Sequence, residues 1–173
     1  MLKRLSPSSA EANGATIAIV ASEYNRRYVD AMLRAARREL KQAGARVEVV
    51  RVPGAFEIPA VAAALAARLP EHAAHPAAII CLGVIFQGQT SHADHIGRGV
   101  THALADLQVA HRIPVIHGVF VFEKEEHAKV RCLGRTHNRG TEAARTALAM
   151  AAVMRSISAE KSGARSLARP ATR

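Results

Sequence analysis

The chain has 173 residues, of which 49% are hydrophobic and only 3% aromatic, and its formal net charge is +10. This length favours one domain with a substantial core. No apolar run approaches the ~20 residues that span a membrane, and the N-terminus lacks the apolar stretch of a secretory signal, so we expect a cytoplasmic protein. The positive charge is spread over one helix and the C-terminal tail, and few aromatic side chains are present to stack on bases. Nucleic acid and membranes are therefore not expected as main partners.

In chain order, segment 1–15 is rich in Ser, Ala, Pro and Gly and predicts a flexible arm. Short apolar runs predict strands at 16–21, 46–52, 77–86 and 114–122. Apolar residues at helical spacing predict helices at 28–43, 58–69, 91–110, 124–132 and 139–156. We therefore place one domain at 16–157, followed by a basic tail at 158–173 whose low-complexity composition predicts disorder.

Alternating strands and helices predict right-handed βαβ units and a mainly parallel sheet of four strands. The expected fold is a flavodoxin-like α/β protein, a three-layer α/β/α sandwich. In such folds ligands bind beyond the carboxyl ends of the strands. The chain contains neither GxGxxG nor GxxxxGK[ST], so no motif supports a nucleotide site.

The cysteines and histidines do not predict a metal site. Cys81 and Cys132 lie in a predicted strand and a predicted helix, without CxxC or zinc-ligand spacing, so we expect buried, reduced thiols. His92 and His95 are three residues apart, but no third ligand has matching spacing, and no metal is expected.

The most informative segment is LGVIFQGQTSH, residues 82–92. The end of a buried strand breaks at Gly88, donors follow at Gln89, Thr90 and Ser91, and His92 lies in the first turn of the next helix. Free N–H groups and the helix dipole make such a strand–loop–helix junction an anion site, and a histidine beside it moves protons near neutral pH. This pattern predicts a phosphate-bearing substrate and acid–base chemistry in one pocket.

Four segments together carry a family resemblance: VPGAFEIP at 52–59, LGVI at 82–85 with GxTxH at 88–92, PVIxGV at 114–119, and NRGxEAA at 138–144. In this order they resemble the lumazine synthase family of riboflavin biosynthesis. The resemblance implies condensation of 5-amino-6-(D-ribitylamino)uracil with 3,4-dihydroxy-2-butanone 4-phosphate, which gives 6,7-dimethyl-8-ribityllumazine, phosphate and water. It also implies that no cofactor is needed, because the substrate's own amine forms the imine.

The resemblance also implies roles for individual residues. His92 matches the proton-transferring histidine, and Gly88, Gln89 and Thr90 match the phosphate loop. Arg131 matches an arginine that clamps the phosphate from a neighbouring subunit. The implied pyrimidine- and ribityl-binding residues are Tyr24, Asn25, Ala55, Phe56, Glu57, Ile58, Val84, Ile85, Phe86, His117 and Arg139.

Several positions depart from the family pattern. Tyr24 stands where Trp or Phe is usual, and Gln87 stands where arginine is common. His117 occupies a position that is often aromatic, and Arg139 occupies one that is frequently lysine. These departures leave open an alternative, a catalytically weak paralogue that binds flavin or lumazine on the same scaffold. A basic nucleic-acid binder of flavodoxin-like fold is a second alternative, and it predicts salt-dependent binding.

The resemblance further implies self-assembly. Members of the family form pentamers, and some form decamers or 60-subunit shells, with each site between adjacent subunits. We therefore expect a homo-oligomer that assembles into pentamers, with decamers or 60-subunit shells as its larger forms.

Overall fold

The computed structural model describes residues 12–69, 75–134 and 137–167. The elements in chain order are β1 (Thr16–Ser22), α1 (Arg26–Gln42), β2 (Arg46–Val52), α2 (Ile58–Ala66), β3 (Ala78–Phe86), α3 (His92–His111), β4 (Val115–Phe122), α4 (Glu125–Ala128), a π-helical turn (Lys129–Leu133) and α5 (Arg139–Leu167). The predicted helix at 124–132 is thus a short α-helix that continues into a π-helical turn.

The four strands form one parallel sheet in the order β2-β1-β3-β4. The central strands β1 and β3 are buried along almost their whole length, which explains their continuous apolar sequence, since helices cover both faces of a parallel sheet. The predicted flavodoxin-like α/β fold is confirmed. Because all strands run in one direction, the loops after their carboxyl ends emerge at the same edge of the sheet.

Two apolar clusters fill the layers on either side of the sheet. Alternate residues of β1 point to opposite faces: Ile17 and Ile19 pack in the layer of α1 and α5, whereas Ala18 and Val20 pack in the layer of α2 and α3. Full burial of a Val, Leu or Ile side chain contributes about 1.5–3 kcal/mol. These clusters hold the strands in register and so fix the relative positions of the loops at the carboxyl edge.

The contact between α1 and α5 is unusually close at Gly140. A Cβ atom built there would lie 2.7 Å from Cα of Met32 and 2.5 Å from its carbonyl carbon. Only glycine lets two helix backbones approach in this way. The glycine of the NRG segment therefore has a packing function.

The C-terminal helix is longer than its sequence predicts. Instead of ending near 156, α5 continues to Leu167, so the prediction of an unstructured segment was wrong for residues 158–167. Alanine, lysine and arginine are good helix formers, and no proline occurs between the start of α5 at Arg139 and Pro170. The rest of the predicted tail, 168–173, lies outside the described residues.

The end of the predicted N-terminal arm belongs to the fold. Ala12 is buried, and its N–H donates to the carbonyl of Ala43 at 2.9 Å. The N–H of Ala15 donates to the carbonyl of Ala12 at 2.9 Å and closes a turn. Segment 1–11, which makes up the rest of the predicted arm, lies outside the described residues.

Both cysteines are buried and unpaired, as predicted. Burial raises the pKa of the Cys81 thiol to about 12 and that of Cys132 to about 11. These thiols are protonated, and therefore unreactive, at neutral pH.

Candidate active site

Tyr24 and Glu57 lie on either side of Gly54, where β1 and β2 end. The N–H of Tyr24 donates to the carbonyl of Pro53 at 3.1 Å, and the N–H of Gly54 donates to the Glu57 carboxylate at 2.8 Å. A Cβ atom at Gly54 would lie 3.2 Å from the Tyr24 ring and 2.7 Å from Glu57 Oε2. The absence of a side chain there lets the tyrosine ring and the carboxylate come together.

The aromatic rings in this region face solvent. The chain has two tyrosines and four phenylalanines, and Tyr24 and Phe56 are 71% and 65% exposed. Phe56 reaches towards α3, because a Cβ atom at Gly99 would lie 4.0 Å from its ring. Two exposed aromatic rings on the loops after β1 and β2, in a chain with so few, indicate a surface that stacks against a ligand.

Asn25 connects the loop after β1 to the end of β3. It adopts the left-handed conformation, with φ 57° and ψ 37°, which asparagine tolerates better than most residues. Its side-chain amide donates to the carbonyl of Val84 at 2.8 Å. Beneath this link, a Cβ atom at Gly83 would contact the side chains of Ile58 and Ala55 at 3.3 and 3.4 Å, so the floor of the site is apolar and closely packed.

The loop at 87–91 presents donors at the start of α3. The N–H of Gln87 donates to the carbonyl of Phe122 at 2.9 Å, which fixes the start of the loop to β4. The Gln87 side-chain amide donates to the carbonyl of Thr90 at 3.0 Å. Gly88, Gln89, Thr90, Ser91 and His92 are exposed. A polar loop that opens onto the N-terminus of a helix of 20 residues has the geometry of an anion site.

His117 lies elsewhere, on the exposed side of β4 next to α3. Its Nε2 is 2.9 Å from Oγ1 of Thr101, and that hydroxyl donates to the carbonyl of Gly97 at 2.7 Å. The hydroxyl is therefore placed to accept from Nε2–H of a neutral imidazole. Desolvation lowers the pKa of His117 and favours this neutral ring. Thr101 was missed from the sequence, because a threonine inside a helix belongs to no motif.

Arg139 and Arg131 occupy the other side of β4. The guanidinium of Arg139 is paired with Glu142 and lies 5.9 Å from the centroid of the Phe120 ring. Arg131 is exposed on the π-helical turn. It lines a cavity of about 340 Å³ together with Phe120, Val121, Phe122, Glu123 and His127.

Comparison with known proteins identifies the family. The family model of 6,7-dimethyl-8-ribityllumazine synthase matches residues 14–155. The chain belongs to the 6,7-dimethyl-8-ribityllumazine synthase family. A relative of that name from Stenotrophomonas maltophilia is 40% identical over 139 residues, which cover 79% of this chain and 86% of the relative. Relatives of the same name from Streptomyces coelicolor and Xylella fastidiosa are each 37% identical, over 82% and 83% of this chain and 86% and 92% of their own lengths.

The family resemblance predicted from four short segments is thus confirmed. The structure brings Tyr24, Phe56, Glu57 and the loop at 87–92 to one edge of the sheet. Among the described residues, the lining of the Arg131 cavity includes neither His92 nor the loop before it.

In the part of the chain that the structure describes, no three or more His, Cys, Asp and Glu side chains cluster in a way that suits a metal ion. No helix in these segments is both long and apolar enough to cross a membrane.

Proposed function

We propose that this protein condenses 5-amino-6-(D-ribitylamino)uracil with 3,4-dihydroxy-2-butanone 4-phosphate to form 6,7-dimethyl-8-ribityllumazine. The observation that carries this proposal is the family match over residues 14–155, which contains all the predicted site residues. The reaction makes the protein a transferase of riboflavin biosynthesis. The relatives described above are all named as synthases, so no observation favours the alternative of a flavin or lumazine carrier.

The phosphate of the butanone binds at the loop before α3. Gly88 lets the backbone approach the anion closely, and the N–H groups of Gln89 and Thr90 and the Thr90 hydroxyl donate to it. The dipole of α3 adds to the attraction. Gln87 stands at a position that is often arginine in the family. Its neutral amide supplies no positive charge, and it donates to the carbonyl of Thr90 instead.

Arg131 completes the phosphate site from a neighbouring subunit. A guanidinium suits phosphate because its donors form a planar fork. The resemblance to the family implies this shared arrangement, and the cavity that Arg131 lines within one chain does not include His92. We propose a pentameric ring as the basic assembly, with decamers or 60-subunit shells as possible higher forms, in the cytoplasm.

The pyrimidine stacks between exposed rings at the ends of β1 and β2. Tyr24 and Phe56 provide aromatic faces, and Glu57, already oriented by the N–H of Gly54, accepts hydrogen bonds from the substrate. Asn25 holds the carbonyl of Val84 in place. The other proposed contacts of the pyrimidine and ribityl chain come from Ala55, Ile58, Val84, Ile85, Phe86, His117 and Arg139.

His92 moves protons in the reaction. The substrate amine attacks the ketone and forms an imine with loss of water. A proton then leaves carbon as the C–O bond to phosphate breaks, and ring closure with loss of a second water completes the product. An imidazole that is exposed beside the phosphate loop is suited to accept and return these protons.

A complementation experiment tests both the residue roles and the shared site. His92→Ala and Arg131→Ala proteins are each expected to form 6,7-dimethyl-8-ribityllumazine slowly, whereas His95→Ala, one turn further along α3, keeps the wild-type rate. When the two inactive proteins are denatured together and reassembled, some subunit pairs regain both groups, so activity returns in part. Failure of the mixture to exceed the separate proteins would contradict the shared site.

A further inference from the structure

The turn that carries Arg131 is tied to α1 by a hydrogen bond between residues far apart in the chain. The hydroxyl of Tyr28 donates to a carboxylate oxygen of Glu125, the first residue of α4. Tyr28 is only 4% exposed, and its ring packs edge-on against Phe86, with the two centroids 5.5 Å apart. Phe86 is the last residue of β3 and directly precedes the phosphate loop. One tyrosine therefore contacts both the base of that loop and the start of the segment that leads to Arg131.

Glu125 is held as a charged acceptor. Nζ of Lys129 lies 3.2 Å from the Glu125 carboxylate, and a guanidinium nitrogen of Arg27 lies 3.7 Å away. The hydrogen bond from Tyr28, followed by that from Lys129, lowers the pKa of Glu125. The same bond raises the pKa of Tyr28, which keeps its hydroxyl protonated. A neutral hydroxyl that donates to a carboxylate is a charge-assisted hydrogen bond, stronger than one between neutral groups.

The far end of the π-helical turn is also anchored. The buried side chain of Asn138 donates to the carbonyl of Cys132 at 2.5 Å and accepts from the N–H of Gly140 at 2.9 Å. A π-helical turn interrupts the usual hydrogen-bond ladder and often occurs at functional sites. Arg131 therefore projects from a short irregular turn that is held to α1 at its start and to the beginning of α5 at its end.

We propose that Tyr28 and Glu125 are positioning residues for Arg131, and that their hydrogen bond sets where the turn presents the guanidinium to the substrate phosphate. This inference rests on the proposed function. It assigns to Tyr28 a role in binding the phosphate-bearing substrate, although this side chain is buried and packed against Phe86. A displacement of about 1 Å is enough to impair the binding of a group that must be held in one orientation.

Steady-state kinetics of lumazine formation test this role. Tyr28→Phe removes only the hydroxyl, and Glu125→Gln removes only the charge. Each change is expected to raise KM for the butanone phosphate roughly three- to tenfold, while KM for the ribitylaminouracil and kcat stay within about twofold of wild type. The matched control is Glu126→Gln, an exposed neighbour on α4, which should leave all three constants unchanged.

A double-mutant cycle shows whether the effect passes through Arg131. In an Arg131→Ala background, Tyr28→Phe should cause no further rise in KM for the butanone phosphate, because the group that it positions is gone. An unchanged KM in both single variants, or an equal rise with and without Arg131, would overturn the proposal. If Tyr28→Phe does not fold, the same cycle can be measured with Glu125→Gln, because the Glu125 side chain is half-exposed. A wild-type protein without synthase activity would instead refute the proposed function.

Discussion

Gly140→Ala is expected to destabilise the protein, although the same substitution in most helices is stabilising. Replacing a helical glycine by alanine contributes about 0.5–1 kcal/mol of stability when there is space for the methyl group. At Gly140, however, the new Cβ would lie 2.7 Å from Cα of Met32, whereas carbon atoms in contact are ~3.5–4.0 Å apart. The obstacle is backbone, which cannot rotate away, so α1 and α5 must separate by roughly 1 Å.

Separation of these helices loosens the apolar cluster that they share, which includes Met32, Ala144 and Leu148. Overpacking of this kind typically costs about 1–3 kcal/mol, and a clash with backbone belongs at the upper end. The gain in helix propensity offsets only part of that cost, so we expect a net loss of about 2 kcal/mol. The loss would appear as a lower midpoint of urea-induced unfolding at equal protein concentration, since assembly also affects apparent stability.

Gly99→Ala is the matched control, because Gly99 is also helical and its Cβ would meet only the ring edge of Phe56 at 4.0 Å. Its midpoint should be equal to that of wild type or higher. The reasoning would be refuted if Gly140→Ala were as stable as Gly99→Ala, since the contact with Met32 would then not constrain the helices.

Three further changes test separate parts of the structure. Tyr24→Ala should raise KM for the ribitylaminouracil about tenfold, because stacking on an aromatic ring contributes ~1–3 kcal/mol. Tyr24→Phe keeps the ring and should leave this KM unchanged. Equal effects of the two substitutions would show that the hydroxyl, not the ring, is used. Asn138→Ala should lower the free energy of unfolding by about 1–3 kcal/mol, because the Cys132 carbonyl loses its buried donor, and an unchanged urea midpoint would contradict this. The hydrogen bond from Arg68 lowers the pKa of Glu48 in the folded protein. The pair therefore stabilises the protein fully at pH values above the pKa of an unfolded glutamate, about 4.3. This stabilisation is lost as pH falls through the lower pKa of the folded state. The difference in thermal unfolding between Glu48→Gln and wild type should therefore be largest at pH 7 and shrink as pH falls below about 4.3; a difference that does not change with pH would exclude this cause.

Much of the fold could be predicted because burial leaves a direct signature in the sequence. β1 and β3 are covered on both faces, and each reads as an uninterrupted apolar run, whereas α1 repeats its apolar residues every three or four positions. The direction of the strands then places their carboxyl ends together. The end of α5 was not predictable in this way, because beyond Ile157 helix propensity rather than an apolar pattern continues the helix.

The candidate site was predictable where its residues are contiguous and less so where they meet across the fold. Gly88, Thr90 and His92 form one segment whose pattern predicts an anion site beside a histidine. The hydrogen bond between Tyr28 and Glu125 joins residues 97 positions apart, and neither residue belongs to a motif. Sequence patterns report local structure and burial, whereas such a contact depends on how α4 packs beside α1.

We propose that this chain forms lumazine and uses His92 for proton transfer. The most direct measurement mixes the purified protein with ribitylaminouracil and butanone phosphate and follows lumazine absorbance above the uncatalysed background. We expect clear acceleration by the wild-type protein and by His95→Ala, and a large loss of rate in His92→Ala. Absence of acceleration by a folded wild-type protein would contradict the synthase function, and an undiminished rate in His92→Ala would contradict the role of that histidine.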